Sequence, residues 1–220
     1  MARPRETKDR IFEQFARIGH AVASPKRLEL LDLLCQSEKS VEILADQAAM
    51  SIANTSRHLQ ILRGARLVDA RKDGLRVYYR LADEEVCRFF GSLRNLAAAR
   101  LAEIDLLVRD YFDDPKRLEP VDKRKLLKQA KAGEIVILDV RPRDEYIAGH
   151  VPFARSVPLH ELKTSIARLS KEKEIVAYCR GPYCVLAQEA VKIMRAKGFK
   201  AFRLEDGVTE WQESGMPVEK

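Results

Sequence analysis

The stretch Ser51-Ile-Ala-Asn-Thr-Ser-Arg-His-Leu-Gln-Ile-Leu-Arg-Gly64, continued by Leu67-Val-Asp-Ala-Arg-Lys-Asp-Gly-Leu-Arg-Val-Tyr-Tyr-Arg-Leu81, decides how the first half of the chain folds. Ser51 offers a side-chain oxygen at a helix start and Gly64 a stop, so the spacing predicts a helix to about Arg63. At about 100° per residue, Ile52, Thr55, Leu59 and Leu62 gather on one side and are expected to pack inward. The other side presents Ala53, Asn54, Arg57, Gln60 and Ile61, with Ser56 and His58 at its margins. Small and amide side chains beside an arginine suit close approach to base edges in a major groove. The free N–H groups of the helix start, near Ser51, favour phosphate. Downstream, Asp73-Gly74 between two β-prone arms predicts a hairpin. Arg71, Lys72, Arg76 and Arg80 decorate it and are expected to meet phosphate, giving affinity and register rather than sequence choice.

Residues 51–80 hold seven Arg or Lys against two Asp, a sharper signal than the net charge of +7 over 220 residues. Net charge alone permits a nucleic-acid partner without requiring one. Upstream, Ile11, Phe15, Ile18 and Val22 form one helical stripe, and Ser24-Pro25 opens a helix rich in leucine from Leu28 to Leu34. Ser40 is expected to cap a short helix, Val41 to Ala49. A long helical pattern runs from about Asp83 to Asp110.

Residues from about 15 to 110 resemble the ArsR family of winged-helix repressors. The resemblance rests on Ser-Arg-His-Leu-Gln-Ile-Leu-Arg (56–63), Leu67-Val68, and Asp73-Gly74 with Val77-Tyr78-Tyr79. It implies a homodimer that releases operator DNA when an inducer binds or oxidises it. The first helix and the 83–110 helix would form the dimer interface. The expected partner is double-stranded DNA carrying an imperfect palindromic operator with half-sites about one turn apart. A winged helix used only for protein contact is the alternative. Many relatives carry Cys-x-Cys in the helix before the recognition helix, but Ser40–Asp46 has no cysteine. The histidines His20, His58, His150 and His160 are scattered singly, so no metal is expected. Cys35 and Cys87 lie in the second and last helices, as in relatives that sense sulfide or persulfide, but displaced from the usual positions. Inert packing and thiol sensing both stand for them.

Seven of the nine prolines lie at or after Pro115, and Tyr111–Pro120 is polar and ends the helical pattern. It reads as a linker. The expected division is residues 1–110 for DNA binding and dimerisation, 111–121 for the linker, and 122–220 for a second domain. There, Ile135–Val140, Ile175–Tyr178 and Ala201–Leu204 look like strands buried in a parallel sheet. Helical stretches alternate with them: Asp122–Ala132, Leu159–Leu169, Val185–Lys197 and Val208–Ser214, which argues for an α/β sheet. The chemistry concentrates in Tyr178-Cys-Arg-Gly-Pro-Tyr-Cys-Val185, where Cys179 follows a core strand and precedes a helix. A loop curling into a helix start aims N–H groups at one centre and favours a thiolate. Gly181 lets the backbone curl, Arg180 adds positive charge, and Pro182 removes one donor.

This half resembles the rhodanese family over about 122–218. The carried motifs are Leu138-Asp139-Val140-Arg141, Glu145-Tyr146-x-x-Gly149-His150-Val151-Pro152, Pro158-Leu159, Val176-Ala177-Tyr178-Cys179-Arg180, Gly198-Phe199, Leu204–Gly207 and Trp211. The resemblance implies that Cys179 takes a sulfane sulfur as a persulfide from a small sulfur donor and passes it to a thiol acceptor. The site residues expected are Cys179, Arg180, Gly181 and Cys184. Cys184 is either a resolving thiol or a buried helix-start cysteine. Related phosphatases place an arginine six residues after the cysteine, where this chain has Val185. No motif calls for a cofactor.

The fold class expected is therefore two-domain: a mainly α winged helix-turn-helix followed by an α/β rhodanese-like parallel sheet. The charged start and the lack of a long apolar run point to a cytoplasmic protein with no membrane partner. Free thiols are the default there for all four cysteines. Three functions follow: a repressor answering reactive sulfur or oxidants, a sulfurtransferase enzyme tethered to DNA, or a repressor whose second domain only makes contacts.

Overall fold

The computed structural model describes residues 3–112 and 122–220. The expected linker therefore falls outside the described residues, except Tyr111 and Phe112, which end a helix. The chain divides into two compact units, Met1–Arg100 and Leu101–Lys220.

The first unit runs α1 (Pro4–Val22), α2 (Pro25–Gln36), β1 (Lys39–Ser40), α3 (Val41–Gln47), α4 (Ile52–Gly64), β2 (Val68–Asp73), β3 (Arg76–Leu81) and α5 (Glu84–Arg100). Ser40 caps α3 by accepting from the Ile43 amide at 3.4 Å, and Ser51 caps α4 through Asn54 at 3.3 Å. Ser24 precedes Pro25 but makes no side-chain cap bond. Leu30, Leu31, Leu44, Leu59 and Leu62 are fully buried in one cluster. At roughly 1.5–3 kcal/mol each, these leucines hold α4 on α2 and α3. Ile52 departs from the expectation: it is 55% exposed, and Thr55 is the first buried residue of α4. Burial needs a facing wall as well as the right helical angle. The strands form an antiparallel sheet in the order β1-β3-β2. Asp73 pairs with Arg76, so Gly74 and Leu75 make the turn.

The long helix expected over 83–110 is broken. α5 ends at Arg100, and α6 (Ala102–Phe112) opens the second unit. The default of free thiols also fails at one pair: Cys35 and Cys87 are joined as a disulfide. Leu30, Leu34, Val86 and Phe90 pack in one cluster, drawing α2 and α5 together. The two Cα atoms then lie 5.6 Å apart, within the bonding range.

The second unit continues with α7 (Lys123–Lys131), β4 (Ile135–Asp139), α8 (Arg143–Ala148), β5 (Arg155–Ser156), α9 (Leu159–Ser165), β6 (Glu174–Tyr178), α10 (Val185–Ala196), β7 (Ala201–Arg203) and α11 (Val208–Glu213). All pairings in the sheet, β5-β4-β6-β7, are parallel. Both faces are covered, and alternate residues go to opposite sides. Val136, Leu138, Ile175, Ala177 and Cys179 join the core beneath α9 and α10, with Leu162, Ala187 and Val191. Ile135, Ile137, Val176 and Tyr178 face α7 and α11, with Leu126 and Trp211.

Asp139 and Arg141 are buried at the carboxyl end of β4 and paired at 2.6 Å. The Tyr178 hydroxyl donates to Asp139 at 2.6 Å and accepts from the Val151 amide at 3.0 Å. Asp139→Ala strands a buried guanidinium and should lower the stability of the second unit by about 3–5 kcal/mol, read from its denaturant midpoint. Reducing the Cys35–Cys87 bond, which spans 52 residues, should cost the first unit about 2–4 kcal/mol, read by thermal melting with and without dithiothreitol.

Candidate functional site

The expected reading face of α4 is on the surface: Ser51, Ala53, Asn54, Arg57 and Gln60 are exposed, with Ser56 and His58 half-buried. Two members are partly committed to the fold. Gln60 donates its amide to the Tyr79 hydroxyl at 3.2 Å, which ties α4 to β3. The His58 Nδ1 is buried without a hydrogen-bond partner. Burial, then the charges of Arg27 and Arg57, hold the His58 pKa down, so it is a neutral ring rather than a phosphate-binding cation. In the wing, Lys72 and Arg76 are exposed. Arg71 is engaged instead. Its guanidinium meets both Glu38 oxygens at 2.5–3.0 Å and Asp73 at 3.1 Å, and lies 4.7 Å from the Tyr78 ring centre. Two carboxylates therefore offset the Arg71 charge, which the sequence reading had assigned to phosphate. Glu38 is distant in sequence and gave no signal; only the β1-β3-β2 sheet brings it near.

The thiol loop joins β6 to α10 at the carboxyl edge of the sheet, where ligands of open α/β folds gather. Cys179 is 1% exposed, whereas Cys184 is half-buried between exposed Tyr183 and Val185. The Cys179 thiol donates to the Cys184 carbonyl at 3.3 Å, and each thiol shifts the titration of the other. Amides surround both sulfurs: those of Ala187 and Gly181 face Cys179, and those of Arg180 and Leu186 face Cys184. The sequence points to a thiolate at Cys179. The structure corrects this. Strand alternation puts residue 179 on the α10 side with Ile175 and Ala177, and burial pushes its thiol well above the ordinary range. Cys184 moves the other way, down to about 6, because the Cys179 thiol, two amides and the Arg180 charge all favour its thiolate against its own burial.

Arg180 does not lie idle beside the sulfur. Its guanidinium grips the fully buried Glu145, with Nε at 3.0 and 3.1 Å and Nη2 at 2.6 Å. Gly181 adopts φ +142°, and a Cβ there would meet the Glu210 carboxylate at 3.0 Å. Gly207 lies closer still beneath the loop: a Cβ would come within 2.4 Å of the Arg180 carbonyl. Arg203 donates to the Pro182 carbonyl and stacks 4.0 Å from the Phe112 ring centre. Glu145 and Gly207 stood in quoted motifs without a role. Arg203 and Glu210 carried no sequence signal, because their part depends on which loops the sheet edge collects. Among the described residues, no group of three or more His, Cys, Asp or Glu is placed to hold a metal, and no helix is long and apolar enough to cross a membrane.

Fold and site define a winged-helix reader carried on one chain with a thiol-loop α/β unit. Residues 24–70 match the bacterial regulatory protein family arsR, and residues 122–214 match the rhodanese-like domain family. The chain is 41% identical, over all 220 residues and 96% of the relative, to the HTH-type transcriptional regulator Rv0324 of Mycobacterium tuberculosis. It is 37% identical over 76 residues, 34% of this chain and 62% of the relative, to the nodulation protein NolR of Rhizobium meliloti. A solution structure of the winged helix-turn-helix domain of Mb0332 from Mycobacterium bovis is 40% identical, covers 46% of this chain and 94% of its own, and has a TM-score of 0.43. The chain belongs to the ArsR family of transcriptional regulators and carries a rhodanese-like domain.

The thiol loop predicts a pH profile. A lowered pKa means that the Cys184 thiolate grows in as pH rises through about 6. Iodoacetamide labelling of residue 184, followed by peptide mass spectrometry, should rise with that midpoint, while residue 179 stays unlabelled until strongly alkaline pH.

Proposed function

We propose that this regulator is a cytoplasmic, homodimeric repressor whose operator affinity is set by the sulfur or oxidation state of the Cys179–Cys184 loop. The observation that carries the reading is the loop itself: Cys179 donates to the Cys184 carbonyl at 3.3 Å and backbone amides favour both thiolates, on the same chain as an exposed DNA-reading helix. Neutral peptide donors stabilise a thiolate or an anionic persulfide without supplying a hydrolytic base. The near-complete burial of Cys179 keeps that thiol away from a succession of solvent-borne acceptors. This favours sensing over turnover.

Dimerisation is supported by apolar side chains with no cover in the single chain. Ile11, Phe12 and Phe15 on α1 are 47%, 58% and 64% exposed, and Leu96 on α5 is 57% exposed. A two-fold dimer presents α4 twice and fits an imperfect palindrome, with Asn54 and Arg57 toward bases and Lys72 and Arg76 toward phosphate. A route from the loop toward α5 is supported by Arg203, which holds the Pro182 carbonyl and the face of Phe112 at once. Phe112 ends α6, and α6 follows α5 after a single residue. The Cys35–Cys87 bond clamps α2 to α5 and would add a second thiol-sensitive point in the reader.

Gel-shift titration tests the reading. Inorganic polysulfide should weaken operator binding by the wild-type chain by about tenfold or more, and leave Cys179→Ser and Cys184→Ser at their untreated affinity. Equal release by all three proteins would remove the loop from the signal.

A further inference from the structure

The two thiols of the loop differ in position. Cys179 directly follows β6 and lies in the α10 core with Ala177, Ala187 and Val191. Cys184 stands one residue before α10, where the chain turns to the surface and exposes Tyr183 on one side and Val185 on the other, at 41% and 46%. A donor arriving from solvent meets residue 184 first. Residue 179, at 1% exposure, offers it almost no surface. The anchors of the loop hold this arrangement: Arg180 on Glu145, Gly207 against the Arg180 backbone, and Arg203 on the Pro182 carbonyl.

Building on the reading of this loop as a sulfur site, we propose that Cys184 is the attacking thiol and Cys179 the buried resolving thiol, so that the loop reduces sulfane sulfur and is left as a Cys179–Cys184 disulfide. The lowered pKa of Cys184 and the raised one of Cys179 agree with that order.

The steps balance. The Cys184 thiolate attacks the terminal sulfur of a persulfide donor, R–S–SH. The donor's S–S bond breaks, R–S− leaves, and Cys184 carries –S–SH. The Cys179 sulfur then attacks the Cys184 sulfur, and the bond to the outer sulfur breaks. The outer sulfur departs as HS− and takes the proton that Cys179 gives up. Two thiol sulfurs are oxidised to a disulfide while one sulfane sulfur is reduced to sulfide. The donor is thus the oxidant, and a reducing thiol resets the loop.

The Cys179 thiol already donates to the Cys184 carbonyl at 3.3 Å, so residues 179 and 184 are in contact before the second step. The organic part of a persulfide would rest against Tyr183 and Val185. The product is a closed loop whose Pro182 carbonyl is held by Arg203. Disulfide formation, rather than a lasting persulfide, would then be the state read by the rest of the chain.

The test uses the full reduced chain with sodium tetrasulfide as probe, trapping with iodoacetamide, peptide mass spectrometry and a sulfide assay. Wild type should release sulfide and link the peptides holding residues 179 and 184. Cys179→Ala should keep an added sulfur on Cys184, formed near the wild-type rate, with little sulfide released by the loop. Cys184→Ala should take up sulfur on Cys179 about tenfold more slowly or worse. Uptake on Cys179 at the wild-type rate in Cys184→Ala would overturn the order while leaving the sulfur reading intact. No sulfur and no disulfide at either position in wild type would overturn the sulfur reading itself. Should a variant fail to fold, limiting iodoacetamide on untreated wild type near neutral pH decides the order: first labelling at Cys184 supports it, and first labelling at Cys179 refutes it.

Discussion

Two buried carboxylates at the carboxyl edge of the parallel sheet govern everything around the thiol loop. Asp139 and Glu145 are both fully buried, and each faces an arginine, Arg141 and Arg180 respectively. Removing either arginine would leave an uncompensated charge in a low-dielectric interior, which costs several kcal/mol. The loop that carries Arg180 is thus pinned at its second residue. Its remaining freedom is reduced by Gly207, which lets the 207–208 segment press directly against the Arg180 backbone. The amides of Gly181, Leu186 and Ala187 face the two sulfurs because this clamp fixes where the loop starts and α10 fixes where it ends.

The clamp also explains why positive charge near a cysteine is a poor guide to which thiol is acidic. Arg180 directly follows Cys179, yet its guanidinium is turned to Glu145, and its remaining field favours the Cys184 thiolate. The first unit shows the same logic. Arg71 looked like a phosphate contact by composition, but Glu38 and Asp73 satisfy it within the unit. Lys72 and Arg76 stay exposed. Local charge density therefore exaggerates how many basic residues await a polyanion, because ion pairs across a sheet are invisible in a linear count.

The reader and the thiol unit are built on different economies of burial. The first depends on leucines of α2, α3 and α4 packed about one short antiparallel sheet, and leaves α1 with bare phenylalanines. The second has a core cluster on each face of its sheet.

The sequence by itself determined the two architectures, the caps of α3 and α4, the hairpin after α4, the strands and helices after residue 122 other than α8 and β5, and the place of the thiol loop. These rest on local signals: periodicity, capping oxygens, Gly and Pro at turns, and short apolar runs. It also contained, unused, the reason for the burial of Cys179, since alternation from Ile175 through Ala177 leads to it. Only the tertiary structure decided the pairing of Cys35 with Cys87, the break at Leu101, the exposure of Ile52, the partners of Arg71 and Arg180, and the different burial of Cys179 and Cys184. Each depends on which distant segment supplies the facing wall, charge or sulfur, and a one-dimensional pattern does not specify that distance.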